Sequence, residues 1–284
     1  MDQIKGTLIP IGGNEDKGKN ENSGLDFIQE GILSHVVRES GGPEAKIIII
    51  PTASSIPKKV GANYLAAFEK LGCTNLTVMN ITKTAQCNDT KLLENFSTAD
   101  CVMFSGGNQS RITSIIGETK LHDLICEKFK NEDFVIAGTS AGAMAMTDEM
   151  IAGGSSTEAL LKGAVILTKG LSLIPKLVID THFIKRGRFG RLAEAVAVFP
   201  DVVGIGLAED TGLIIKNCDD FSVIGSGMVV VMDASSLTHN AHEQLHEGTP
   251  MSLSNLTTHI LANGDQFTLH DKGINILPIN AEFV

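Results

Sequence analysis

The chain has 284 residues, 43% hydrophobic and 20% charged, with a formal net charge of −10. That apolar content excludes a disordered chain, and the length allows a core that needs no disulfide or metal to hold it. The acidic balance disfavours a nucleic-acid surface, because a phosphate backbone repels such a field, and no run of about 18 apolar residues offers a membrane span.

Thr7 to Ile11 reads as a strand, followed by Gly12-Gly13-Asn14-Glu15-Asp16. This loop lacks the Gly-x-x-x-x-Gly-Lys and Gly-x-Gly-x-x-Gly spacings that cradle phosphate. Its two carboxylates would repel one, so a turn lining a site is the most it suggests. Residues 25–39 carry a helical pattern. Ile47-Ile48-Ile49-Ile50 is continuously apolar, as expected of a strand covered on both faces in a parallel sheet. Residues 59–71 form the next helix, with Tyr64, Leu65, Phe68 and Leu71 as its apolar stripe. Strands are predicted at Leu76 to Met79, Cys101 to Phe104, Phe134 to Ala137 and Leu177 to Ile179, with helices at 119–130 and 188–198.

That alternation predicts βαβ units, a mostly parallel central sheet flanked by helices. The last third differs: Val203–Leu207, Leu213–Lys216, Phe221–Ile224 and Met228–Met232 are closely spaced strands that read as an antiparallel extension of the sheet. Residues 238–250 read as a polar loop. Thr257–Leu261 and Gln266–Leu269 read as a closing hairpin around Asn263-Gly264-Asp265. With no repeat, linker or composition break, one α/β domain over 1–284 is expected.

In open parallel sheets ligands bind beyond the carboxyl ends of the strands. Three loops there carry chemistry. Gly138-Thr139-Ser140-Ala141-Gly142 stands between a strand and a helix former. In that context Gly-x-Ser-x-Gly is a nucleophile elbow: small flanking residues permit a sharp turn that pushes the Ser140 hydroxyl out. The Ala141 N–H would then face a developing oxyanion. The competing reading, a turn with Ser140 as helix N-cap, is the blander one.

Phe104-Ser105-Gly106-Gly107-Asn108-Gln109 offers Gly107 as a second oxyanion donor and Gln109 as a partner for a substrate amide; a plain strand-to-helix turn is equally consistent with it. After the strand ending at Ile179, Asp180-Thr181-His182-Phe183 places His182 where a base for Ser140 belongs. Lys185, Arg186, Arg188 and Arg191 follow. In an acidic chain these four cations suggest a wall that grips carboxylates, against a solvated helix start. The acid that orients the imidazole is Glu209, with Asp210 beside it, or Glu158 in the Gly/Ser loop after Gly153. No HExxH motif or paired His/Cys cluster occurs, so neither metal nor cofactor is expected.

Together Gly106-Gly107-Asn108-Gln109, Gly138-Thr139-Ser140-Ala141-Gly142-Ala143, Asp180-Thr181-His182-Phe183 with its arginines, and Gly204-Ile205-Gly206-Leu207-Ala208-Glu209-Asp210 resemble the cyanophycinases. These are serine peptidases of family S51, alongside peptidase E. The resemblance runs from about residue 5 to 270 and implies a class I glutamine amidotransferase-like (flavodoxin-like) fold. It implies Ser140 as nucleophile, His182 as base and Glu209 as acid, with Glu158 the other acid described for the family. It also implies that Gln109, Asp180, Thr181, Arg186, Arg188 and Arg191 bind substrate; family members carry Gln where this chain has Thr181.

The implied substrate is cyanophycin, a polyaspartate with arginine on each β-carboxyl, released as β-aspartyl-arginine by exopeptidase action. Other aspartyl or isoaspartyl peptides are the alternative substrates, and a non-catalytic ligand-binding relative is the alternative role. A homodimer is expected from the apolar C-terminal strands. A cytoplasmic location is expected because the opening Met1-Asp2-Gln3-Ile4-Lys5 lacks signal-peptide character and the five cysteines are odd in number.

Overall fold

A computed structural model describes residues 4–19, 25–154, 158–278 and 281. The expected parallel strands form β1 (Thr7–Ile11), β2 (Ile47–Ile50), β3 (Leu76–Val78), β4 (Cys101–Phe104) and β5 (Val135–Thr139). They pair in the order β1-β5-β4-β2-β3, all parallel. Every residue of β2 is buried, which is why its four isoleucines show no alternation. Helices Pro57–Lys70 and Lys120–Asn131 lie within a residue or two of their expected bounds. Pro57 opens the first, and the Thr119 side chain caps the second by accepting from the His122 N–H. The first helix is shorter than its sequence pattern, Ile32–Glu39.

The helix Gln109–Ile116 follows the strand-to-helix turn that was one reading of the Gly106-Gly107 loop, and the Asn108 side chain caps it by accepting from Ser110 N. The helix Thr90–Ser97 and a hairpin of β6 (Glu149–Gly154) with β7 (Val165–Lys169) were not expected. The sequence also suggested one extended sheet, and here the structure differs. β8 (Leu177–Asp180) and β9 (Val203–Leu207) pair in parallel in a separate sheet. β10 (Thr211–Lys216) and β11 (Asp220–Gly225) do extend the main sheet antiparallel, beyond β1. β12 (Val229–Asp233) returns to pair with β9 in the second sheet.

The closing hairpin does not form. Thr257–Leu261 pairs with β12, whereas Gln266–Thr268 pairs with β11, so the chain crosses from one sheet to the other at Asn263-Gly264-Asp265. The physical reason is burial. One continuous apolar core joins Leu213, Phe221 and Phe267 of the large sheet to Ile205, Val229, Val231 and Leu261 of the small one. Two sheets facing each other cover more of that surface than one long sheet would.

The carboxyl ends of both sheets converge. β1, β5 and β4 are adjacent, so the loops after Ile11, Thr139 and Phe104 lie side by side. β8 and β9 deliver the segments after Asp180 and Leu207 to the same place: the His182 N–H donates to Gly12 O (2.9 Å), and the Asp210 N–H to Gly13 O (2.9 Å). The loop after β1 is thus the seam between the sheets.

Candidate active site

Ser140 has φ 51° and ψ −107°, a conformation that L-residues rarely adopt. Its own N–H donates to Ile11 O (2.8 Å), and its carbonyl accepts from Met144 N (3.0 Å). A Cβ at Gly138 would come within 2.7 Å of Gly142 carbon, and one at Gly142 within 2.6 Å of Phe104 O. The Gly-x-Ser-x-Gly spacing therefore reflects close backbone approach. The strand, the sharp turn at a half-buried Ser140 and the short helix that follows have the geometry of a nucleophile elbow.

His182 also sits at positive φ, 49°. Its Nε2 is 3.0 Å from Ser140 Oγ, and its Nδ1 is 2.8 Å from Glu209 Oε1. The second Glu209 oxygen accepts from Lys185 Nζ at 2.9 Å. Burial acts to raise the Glu209 carboxyl pKa, but the hydrogen bonds from Lys185 and His182 outweigh it and hold the group below its ordinary value. His182 is pushed down, first by burial and then by the charges of Arg186 and Arg188, against the upward pull of Glu209. A neutral imidazole is the form that can accept a proton, and the downward shift favours that form at neutral pH.

The other two acids sit elsewhere. The Asp210 carboxylate accepts from Ser226 Oγ (2.6 Å) and Asp16 N (3.1 Å). Glu158 is exposed, and residues 155–157 of its Gly/Ser loop lie outside the described residues.

Gly106 and Gly107 border the same opening. A Cβ at Gly106 would lie 3.5 Å from Ser140 Cβ, so this loop runs directly past Ser140. Gly107 has φ 145°, and a Cβ there would lie 2.1 Å from Ala53 O; no other residue fits. Ala141 is buried at the first position of the helix Ala141–Met144.

A cleft of about 480 Å³ opens at Ser140 and His182, walled by residues that include Gly13, Glu15, Lys17, Tyr64 and Arg186. Of the substrate-binding residues that the resemblance implied, Arg186 lines it. The others point elsewhere. Asp180 is fully buried and paired with two arginines: Arg188 Nη1 donates to its Oδ1 (2.8 Å), while Arg191 binds both oxygens, Nε at 2.7 Å from Oδ2. Arg188 Nη1 also donates to Thr181 O (2.6 Å). The basic cluster is therefore divided, with Arg188 and Arg191 turned inward on Asp180 and Lys185 and Arg186 left outward.

Thr181 is buried against Met144 Sδ (3.3 Å), and the Gln109 amide donates to Ile151 O (2.7 Å). Among the described residues no group of three His, Cys, Asp or Glu side chains could hold a metal ion.

Sequence reasoning missed the wall made by Glu15, Lys17 and Tyr64. The Glu15 carboxylate, 4% exposed, accepts from Thr139 Oγ1 (2.6 Å), Lys17 Nζ (2.9 Å) and the Tyr64 hydroxyl. Burial favours its neutral form, yet Lys17 and the two hydroxyls outweigh that and lower its pKa; the same burial and the Glu15 charge push the Tyr64 phenol well up. Glu15 thereby ties the β1 loop, the second helix and the residue before the nucleophile together. The sequence signal is the pair of carboxylates in Gly-Gly-Asn-Glu-Asp, which marks a turn lining a site but does not say that Glu15 is buried there or which groups it meets.

The sequence model of peptidase family S51 matches residues 20–223. The chain belongs to peptidase family S51. It is a peptidase, and so a hydrolase. Among S51 relatives it is 34% identical over 270 residues to the cyanophycinase of Trichormus variabilis, covering 95% of this chain and 88% of that protein. It is 33% identical over 264 residues to the cyanophycinase of Geminocystis herdmanii, covering 93% and 94%. In fold it is similar to a crystal structure of a peptidase from an acI-B1 actinobacterium, with a TM-score of 0.61 at 19% identity, covering 82% of this chain and 93% of that one. No described helix of this S51 peptidase is long and apolar enough to cross a membrane.

Proposed function

We propose that this S51 peptidase is a serine-type exopeptidase that hydrolyses cyanophycin to β-aspartyl-arginine. The observation that carries the mechanism is the unbroken relay Glu209–His182–Ser140, with contacts of 2.8 and 3.0 Å. The substrate reading rests on the extent of the similarity to cyanophycinases, about a third identical over nearly the whole chain.

Ser140 Oγ attacks a backbone carbonyl carbon of the polyaspartate as His182 Nε2 takes its proton. The oxyanion is met by the backbone N–H groups of Gly107 and Ala141. Collapse of the tetrahedral intermediate breaks the C–N bond, and His182 returns the proton to the departing amine. Water, activated by the same imidazole, then attacks the acyl-Ser140 ester and frees the acid. Glu209 stays ionised throughout and holds Nδ1–H, with Lys185 steadying its other oxygen.

Arg186 meets a carboxylate of the substrate, each arginine branch carrying a free one. Asp180, Arg188, Arg191, Thr181 and Gln109 support the site from behind: the Asp180–Arg188 pair clamps the carbonyl of Thr181 and so holds the turn that carries His182.

The test is incubation of insoluble cyanophycin with wild type and Ser140→Ala, with mass spectrometry of the soluble fraction. Release of β-aspartyl-arginine by wild type alone supports the proposal. Release by neither overturns the substrate, and cleavage of short aspartyl peptides in its place would retain the chemistry with a different substrate. Full release by Ser140→Ala overturns the nucleophile.

A further inference from the structure

Two lysine or arginine side chains line the cleft, Arg186 and Lys17. They are differently held. Arg186 is exposed at the rim. Lys17 is fixed. Its ammonium donates to Glu15 Oε1 (2.9 Å) and to Glu15 O (3.3 Å), and it lies 4.9 Å from the centroid of the Tyr64 ring. Glu15 and Tyr64 are both buried, so neither anchor moves freely. A lysine of this kind has already lost the rotamer freedom that an exposed one would lose only on meeting a ligand.

An ammonium carries three N–H donors. Glu15 takes two, and among the described residues the third is uncommitted, on a side chain 24% exposed at the cleft wall. Among the described residues of the cleft wall, Lys17 is paired with Glu15, and Arg186 is the other cation.

We propose that Lys17 is a specificity-determining, substrate-binding residue that takes a free α-carboxylate of the substrate, positioned for it by Glu15 and Tyr64. The inference rests on the cyanophycin reading above. The polymer offers that carboxylate from two sources, the arginine branches and the terminal aspartate, and the experiment separates them.

Three synthetic β-aspartyl-arginine oligomers are compared: unmodified, with every arginine carboxylate amidated, and with only the terminal aspartate α-carboxylate amidated. Each is assayed with wild type, Lys17→Met, Lys17→Arg and the double variant Lys17→Met/Glu15→Gln, which leaves no buried carboxylate without its cation. The rate of Ser140 labelling by a fluorophosphonate reports the integrity of the nucleophile in each.

On the unmodified oligomer, Lys17→Met and the double variant are expected to raise KM about tenfold, the effect of one charge-assisted hydrogen bond. Their kcat stays within about twofold, labelling stays at the wild-type rate, and Lys17→Arg recovers most of the loss. For one amidated oligomer the loss with wild type should exceed the loss with Lys17→Met by about tenfold, since any contact of Arg186 is common to both enzymes; which one it is names the source. An unchanged KM, or amidation losses equal in wild type and Lys17→Met, overturns the proposal. So does a fall in kcat and labelling with KM unchanged, which would make the lysine a support of the elbow. Wild type inactive on the unmodified oligomer overturns the cyanophycin reading itself, a result distinct from an active wild type indifferent to Lys17.

Discussion

The His182 N–H donates to the carbonyl of Gly12 at 2.9 Å, joining the strand-end of the small sheet to that of the large one. Ser140 rides on the large sheet and His182 on the small one, so their 3.0 Å contact depends on this seam. The neighbouring Gly13, at φ 104°, packs against the imidazole so closely that a Cβ there would lie 2.4 Å from His182 Cε1.

Gly13→Ala should therefore disable the enzyme without unfolding it. The added methyl either pushes the imidazole off Ser140 or strains a backbone that only glycine adopts freely. A displacement of about 1 Å at a catalytic group costs on the order of a hundredfold. The expected outcome is a loss of at least that size in kcat/KM with an unchanged circular dichroism spectrum, and near-normal kinetics would refute the packing argument.

Glu209→Gln should lower kcat by roughly a thousandfold or more, since the wrong imidazole tautomer is then stabilised. Glu158→Gln should stay within about twofold of wild type, because the Nδ1 partner is Glu209. Steady-state kinetics of the two variants side by side decide between the acids; a large loss in Glu158→Gln would reverse the assignment.

The pH profile has a predictable sign. Activity rises as His182 loses its proton, and burial with Arg186 and Arg188 holds that step below the usual value of about 6.5. Arg186→Gln removes one repelling charge, so the imidazole holds its proton to higher pH. The acid limb of kcat/KM should move upward. A profile that moves down, or does not move, contradicts the electrostatic account of this base.

Asp180→Asn should destabilise the fold. Asp180 is fully buried between Arg188 and Arg191, and removing its charge leaves two guanidinium groups without their counter-ion. Breaking a buried pair in this way costs about 3–5 kcal/mol. A urea titration should show a lower midpoint at unchanged slope, and activity should fall because the Thr181 carbonyl clamp loosens. A variant as stable as wild type would mean that the two arginines are satisfied by water.

Much of the site was legible in the sequence because its signals are local. The elbow is a run of five residues whose glycines reveal close packing. His182 lies two residues past a strand, and Glu209 two residues past another. Strands such as Ile47–Ile50 announce their burial by composition alone. What was not legible is what depends on which distant residues meet. Arg186 and Arg188 are two positions apart in one basic cluster, yet one faces the cleft and the other a buried aspartate. Nothing in a run of cations says which will turn inward.

The sequence by itself thus determined the α/β alternation, the serine elbow and the histidine at a strand end, because strand burial, turn geometry and helix initiation are decided within a few residues. Only the tertiary structure decided that β8 and β9 leave the main sheet. The same was true of the choice of Glu209 over Asp210 and Glu158 as the imidazole's partner, and of the wall that Glu15, Lys17 and Tyr64 build beneath the nucleophile. Those outcomes are set by through-space electrostatics and by the burial of a shared core, which join residues far apart in the chain, 124 positions for Glu15 and Thr139 and 194 for Asp16 and Asp210.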